Sequence, residues 1–280
     1  MLVERTCRLL YALAAACAFG AFTPLPAEEP EAPFLFSAAL RPGVVAELNK
    51  EELLRGTVSK GFIPSVGLDL SAESGQGLLA ARLECAAGTA VILGAVPVGT
   101  YEAAASLEAL RAIESPPGGR AAGVPAFFLG ASLDGAVSIH YCERLQGMHN
   151  LWLTGYGLSG IIACVWGYEA DGSLGIRLGA RLFSLVSRPP ESFSSLEATG
   201  KDLRLIVSEL NSGIFASPPW ETGRLSWTLE MRSPARRGAR GILALEGSYT
   251  YCARPEKVML LRQGIYIGIC LSLSGKEARK

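Results

Sequence analysis

The chain has 280 residues, 49% of them hydrophobic and 19% charged, with 26 basic side chains against 26 acidic and 32 glycines. That is enough apolar material for a sizeable core and too much for long disorder, while the even charge balance gives no basis for a nucleic-acid partner or a polybasic membrane-surface protein. Mean hydropathy is +0.29, yet beyond the N-terminal leader no run reaches the ~18 apolar residues of a spanning helix.

The leader begins Met1-Leu-Val-Glu-Arg-Thr-Cys-Arg8, continues through an apolar run from Leu9 to Phe22, and reaches Ala27 before Glu28-Glu29-Pro30. A basic start, a short apolar stretch and a small residue predict a secretory signal peptide over residues 1–27, leaving 28–280 as one domain. The alternative is a lipoprotein signal with lipidated Cys17, since Leu13-Ala-Ala-Ala-Cys17 is a loose lipobox. Both leaders export the chain. Cys85, Cys142, Cys164, Cys252 and Cys270 are widely spaced and odd in number, which argues against a disulfide-stapled fold but leaves one bridge open.

Along the exported part, alternation of period two predicts strands near 34–40, 58–71, 77–97, 125–133, 136–144, 150–168, 173–186, 202–209, 223–232, 240–252 and 263–274. Two segments break the pattern. Residues 44–55 and 101–114 carry Ala, Leu and Glu in helix-like order and are expected to be short helices. Asp134-Gly135 and Asp171-Gly172 have hairpin-turn chemistry. The clearest alternation is in 264–274, where Ile265, Ile267, Ile269 and Leu271 oppose Gly264, Tyr266, Gly268 and Cys270. Leu225, Trp227 and Leu229 alternate with Arg224, Ser226, Thr228 and Glu230; Leu243 and Leu245 alternate with Ala244 and Glu246.

A soluble sheet would turn the apolar face inward, and a membrane barrel would turn it to lipid. Charges of both signs interleaved with Gly and Ser, aromatics near the ends of apolar faces (Tyr249, Tyr251, Trp152, Trp166) and alternating runs of roughly 9 to 11 residues favour the barrel. On this texture, over residues 34–274, the chain resembles bacterial outer-membrane β-barrel proteins as a class. The resemblance implies an all-β, single antiparallel up-and-down transmembrane barrel of about 10 strands (8 to 12), with one or two short helices in connections. It implies outer-membrane residence, with outer-membrane lipid and the barrel-insertion machinery as partners. Eleven candidate strands must reduce to an even number. Connections 98–124, 187–201 and 233–239 are candidates for the outward-facing side.

The expected lumen-lining residues are Arg82, Glu84, Arg177, Arg181, Arg224, Glu230 and Glu246. The expected lipid-facing residues are Leu225, Trp227, Leu229, Leu243, Leu245, Ile265, Ile267, Ile269 and Leu271. Arg232, Arg236, Arg237 and Arg240 form the densest basic patch, a candidate for an anionic surface ligand. No cofactor is expected, and no metal, since His140, Cys142 and His149 make only a loose set. Ser138 and His140 share a strand face, but no acid or oxyanion motif accompanies them, so no catalytic residue is assigned. The function expected is a small porin-like channel or a structural or surface-interaction barrel, non-catalytic. The alternative is an exported periplasmic or lipid-anchored soluble barrel that binds an apolar ligand.

Overall fold

A computed structural model describes residues 35–51, 57–74, 77–92, 96–114, 124–141, 150–168, 172–188, 203–211, 213–236, 238–253 and 257–273. The expected leader and Cys17 lie outside them, as do Cys142, His149, Asp171 and Arg237. Among the described residues the strands are β1 (Leu35–Glu51), β2 (Thr57–Glu73), β3 (Gly77–Ile92), β4 (Val96–Glu114), β5 (Pro125–Tyr141), β6 (Asn150–Tyr168), β7 (Gly172–Ser187), β8 (Phe215–Ser217), β9 (Thr222–Arg232), β10 (Ala239–Cys252) and β11 (Val258–Ser272), and a helix, α1 (Leu203–Leu210), precedes β8.

Each long strand pairs antiparallel with its neighbours in sequence, and β1 pairs with β11 to close the ring. Ten strands form the barrel because β8 and β9 share one position. β9 pairs with Ser173–Ala180 of β7, and β8 pairs with Ser184–Val186 further along the same strand. Pro218-Pro219 interrupts what would otherwise be a continuous strand, since proline cannot donate to the ladder. The chain makes a tight turn there, with Glu221 and Thr222 amides donating to Pro218 O at 3.0 and 2.9 Å.

Several sequence expectations are corrected. Residues 44–51 belong to β1 and 101–114 to β4. In β1, Val45, Glu47 and Asn49 point inward and are buried, while Val44 and Leu48 are exposed. In β4, Tyr101 and Leu107 are exposed outward at 54% and 61%, while Glu102 and Leu110 are buried. Pairing along both edges overrides the helix preference of Ala, Glu and Leu, and Ala104 and Ser106 on the inner face leave room for longer side chains opposite. Residues 203–210, expected as strand, form α1, whose Leu210 is buried while Val207 is exposed. Asn211 holds it against the outside of β6: its side-chain carbonyl accepts from Tyr156 OH at 2.7 Å, and its amide donates to Val207 O at 2.7 Å. Asp134-Gly135 is no turn. It lies inside β5, which runs unbroken through the two strands expected at 125–133 and 136–144.

The ends of the barrel follow from strand direction. Leu35 and Ser272 lie at one end, the terminal end, where β2, β4, β6 and β9 also finish; β1, β3, β5, β7 and β10 finish at the far end. Of the three connections expected on one side, most of 98–124 is β4, the described part of 233–239 lies at the terminal end, and 189–201 lies outside the described residues. A bulge between Leu158 and Ser159 in the β6–β7 ladder also flips the faces of β7. Arg177 and Arg181 share the inner face before it, and Ser184 and Val186 take it afterwards.

Candidate functional site: the interior of the barrel

The inner faces bring charged side chains from distant parts of the sequence together. Arg41, on β1, is wholly buried. Its Nε lies 2.7 Å from Asp69 Oδ2 and its Nη2 donates to Asp69 Oδ1 at 3.1 Å, while Nη1 pairs with Glu246. Arg82 reaches the same two carboxylates at 3.1 Å each. Asp69 and Arg82 face each other in the β2–β3 register, whereas Glu246 sits four strands from Arg82 around the wall. The Arg82–Glu246 pair therefore spans the bore.

The wall must be thin where these side chains lie. Tyr266 is opposite Gly43, and a Cβ on Gly43 would fall 2.5 Å from its ring. The Arg41 guanidinium carbon sits 5.2 Å from the Tyr266 ring centroid, a cation–π arrangement. At Gly157 a Cβ would meet Arg181 Nε at 2.6 Å. Glycine is required at both places by close approach of a side chain to the backbone.

Further ion pairs continue toward both ends. Arg177 Nη1 donates to Glu108 Oε2 at 2.6 Å across the bore. Arg181 pairs with Asp134, which also accepts from Ser159 Oγ at 2.9 Å and lies 3.8 Å from Arg224. Arg232 donates to Glu230 at 2.6 Å. Arg262 pairs with Glu102 and, at 3.3 Å, with Glu84, which also accepts from Tyr266 OH at 2.7 Å. Between these side chains, among the described residues, lie a cavity of about 130 Å³ lined by Arg82, Glu84, Arg177, Arg224 and Glu246 and smaller ones of about 60 Å³ beside Glu230 and about 50 Å³ beside Arg181. The seven residues expected to line a lumen thus all border these cavities. Arg41, Asp69, Glu102, Glu108, Asp134 and Arg262 were not singled out from the sequence.

On the outside, Leu229, Leu243, Leu245, Ile265, Ile267, Ile269 and Leu271 are exposed, from 36% for Leu245 to 67% for Ile267. Leu225 and Trp227 are half-buried, and the Trp227 ring lies over Gly247, where a Cβ would be 2.0 Å away. The basic patch is at the terminal end: Arg236 is exposed, Arg240 is half-buried, and Arg232 is turned to Glu230. Among the described residues Cys85, Cys164, Cys252 and Cys270 form no disulfide. Among the described residues no cluster of His, Cys, Asp and Glu is arranged to hold a metal ion.

No protein-family model matches the chain, and no curated protein matches it in sequence. Among solved structures, it is similar to the outer membrane protease OmpT from Escherichia coli over 88% of this chain and 99% of that one, at 9% identity and a TM-score of 0.57. The translocator domain of the autotransporter NalP from Neisseria meningitidis aligns over 96% of each chain at 11% identity, with a TM-score of 0.38. At such identity the likeness concerns architecture, and with the closed ten-stranded ring it establishes that the chain has the fold of the bacterial outer-membrane β-barrel proteins.

Proposed function

We propose that the protein is an outer-membrane barrel whose bore is closed by its own side chains, serving as a membrane-embedded scaffold and not as an open pore. The observation that carries this reading is the pair of ionic crossings, Arg82–Glu246 and Arg177–Glu108, with a cavity of about 130 Å³ lined by all four residues. A ten-stranded ring is narrow enough for side chains to fill, and paired charges that neutralise one another leave no field to draw ions through. The exposed aliphatic rows on β1, β10 and β11 support lipid contact, because a water-exposed surface of that composition would aggregate. Outer-membrane barrels carry their longer connections outside, so the far end, with 188–221, is the external end. Purified protein inserted into planar bilayers tests the closure. No steady current is expected from protein that shows heat-modifiable gel mobility; a stable ohmic conductance from such protein would overturn it.

A further inference from the structure

Ser138 and His140 acquire in the folded barrel the acid that their own strand lacks. Both point inward near the far end of β5 and are buried. Ser138 Oγ is 3.1 Å from His140 Nε2. On the other side of the ring, Nδ1 lies 3.7 Å from Glu47 Oε1, on β1, and 3.3 Å from Thr100 Oγ1, on β4. The Glu47 side chain is completely enclosed. With the proton on Nδ1, directed at Thr100 Oγ1 and the Glu47 carboxyl group, the Nε2 lone pair faces Ser138 Oγ, the tautomer a general base needs. Ser138 Oγ also donates to Glu102 Oε1 at 3.4 Å, so its one proton is shared between His140 Nε2 and this carboxylate, whose other oxygen pairs with Arg262. Ser138 lines the cavity of about 50 Å³ together with Arg181, Arg224 and Arg262.

We propose that Ser138, His140 and Glu47 form a nucleophile, its base and the base's positioning residue, for hydrolysis of short-chain carboxylic esters that enter from the far end. Ser138 Oγ bonds to the acyl carbon while its proton passes to His140 Nε2. The ester C–O bond then breaks, and Nε2 returns the proton to the departing alkoxide. Water, deprotonated by the same nitrogen, cleaves the acyl-serine, releases the carboxylic acid and restores both residues. Arg224, at 3.8 Å from Asp134 the most loosely paired of the guanidinium groups bordering the cavity, supplies positive charge where the carbonyl oxygen becomes an oxyanion. A cavity of about 50 Å³ has room for a few water-sized groups, which restricts the acyl group to a short one. The proposal is independent of closure of the bore, because ester cleavage and ionic conductance are read separately.

The test uses full-length barrel refolded in detergent, with p-nitrophenyl acetate as substrate and diisopropyl fluorophosphate as a covalent probe mapped by peptide mass spectrometry. The expected results are turnover above the detergent blank and an adduct on Ser138 that heat-denatured protein does not form. Ser138→Ala should abolish both, and His140→Ala should lower kcat by about 10²- to 10⁴-fold. Glu47→Gln should lower kcat at unchanged KM and Glu47→Asp should recover part of it, with heat-modifiable mobility retained in each. Absence of both turnover and adduct in folded wild-type protein would overturn the proposal, as would wild-type turnover in Ser138→Ala. The adduct assay needs no variant, so a variant that fails to fold does not shelter the idea.

Discussion

Arg41→Met probes the ionic core most sharply. The guanidinium is inaccessible to water and contacts Asp69 twice, at 2.7 and 3.1 Å, and Glu246 once. Removing one member of a buried pair costs about 3–5 kcal/mol, because the remaining charge stays desolvated. Here Arg82 keeps its 3.1 Å contacts with both carboxylates, so the low end applies, about 3 kcal/mol or roughly two decades in the folding equilibrium. Combining it with Asp69→Asn removes the stranded charge, and the double variant should lose less than the sum of the single losses, with a coupling of about 1–3 kcal/mol. Urea titration of the refolded barrel, followed by tryptophan fluorescence, reads each midpoint. A loss under about 1 kcal/mol for Arg41→Met, the scale of an exposed ion pair, or strict additivity with Asp69→Asn, would refute the view that this network holds the wall together.

Three further outcomes follow. Ile265 lies at the middle of β11 and Leu271 near its terminal end, so in a bilayer Ile265→Arg should cost about 2–4 kcal/mol and Leu271→Arg about 0–1 kcal/mol; equal costs in a urea titration would contradict the depth assignment. Gly43→Val should be poorly tolerated, since even a Cβ would stand 2.5 Å from the Tyr266 ring and from Ile265 O, and the refolded yield on unboiled gels measures it. Tyr156→Phe removes the 2.7 Å bond to Asn211, worth about 1 kcal/mol, and should speed proteolytic nicking near α1 while barrel mobility on gels stays unchanged.

The parts of the fold legible in the sequence are those where an apolar face opposes a polar or glycine face, as in β9, β10 and β11. β1 and β4 were illegible because their inner faces are partly apolar or small, with Val45 and Ala104 inside, which blurs the alternation and leaves helix propensity as the stronger local signal. Asp134-Gly135 misled for a related reason: turn chemistry is local, whereas Asp134 is held in β5 by Ser159 and Arg181, from the next two strands of the meander. Among site residues, Asp69 was visible on the polar face of its strand, and Arg262 lay one residue before the expected start of β11. Glu47 sat in a segment read as helix, so its approach to His140 had no local signal at all. The flip of β7 at its bulge is likewise invisible to a fixed period.

The central claim, that the aliphatic outer face meets lipid while the inner face is sealed, can be tested with the protein's own thiols. Cys85 is exposed and Cys164 half-exposed, each paired with an exposed aliphatic residue, Val66 and Ile176; Cys252 and Cys270 are buried on the inner faces of β10 and β11. Protein in lipid vesicles is treated with a bilayer-soluble maleimide or a membrane-impermeant one, and each cysteine peptide is followed by mass spectrometry. The bilayer-soluble reagent alone should modify Cys85 and Cys164, with Cys252 and Cys270 untouched until the barrel is unfolded. Modification of Cys85 and Cys164 by the impermeant reagent, or of Cys252 and Cys270 in the folded state, would contradict it.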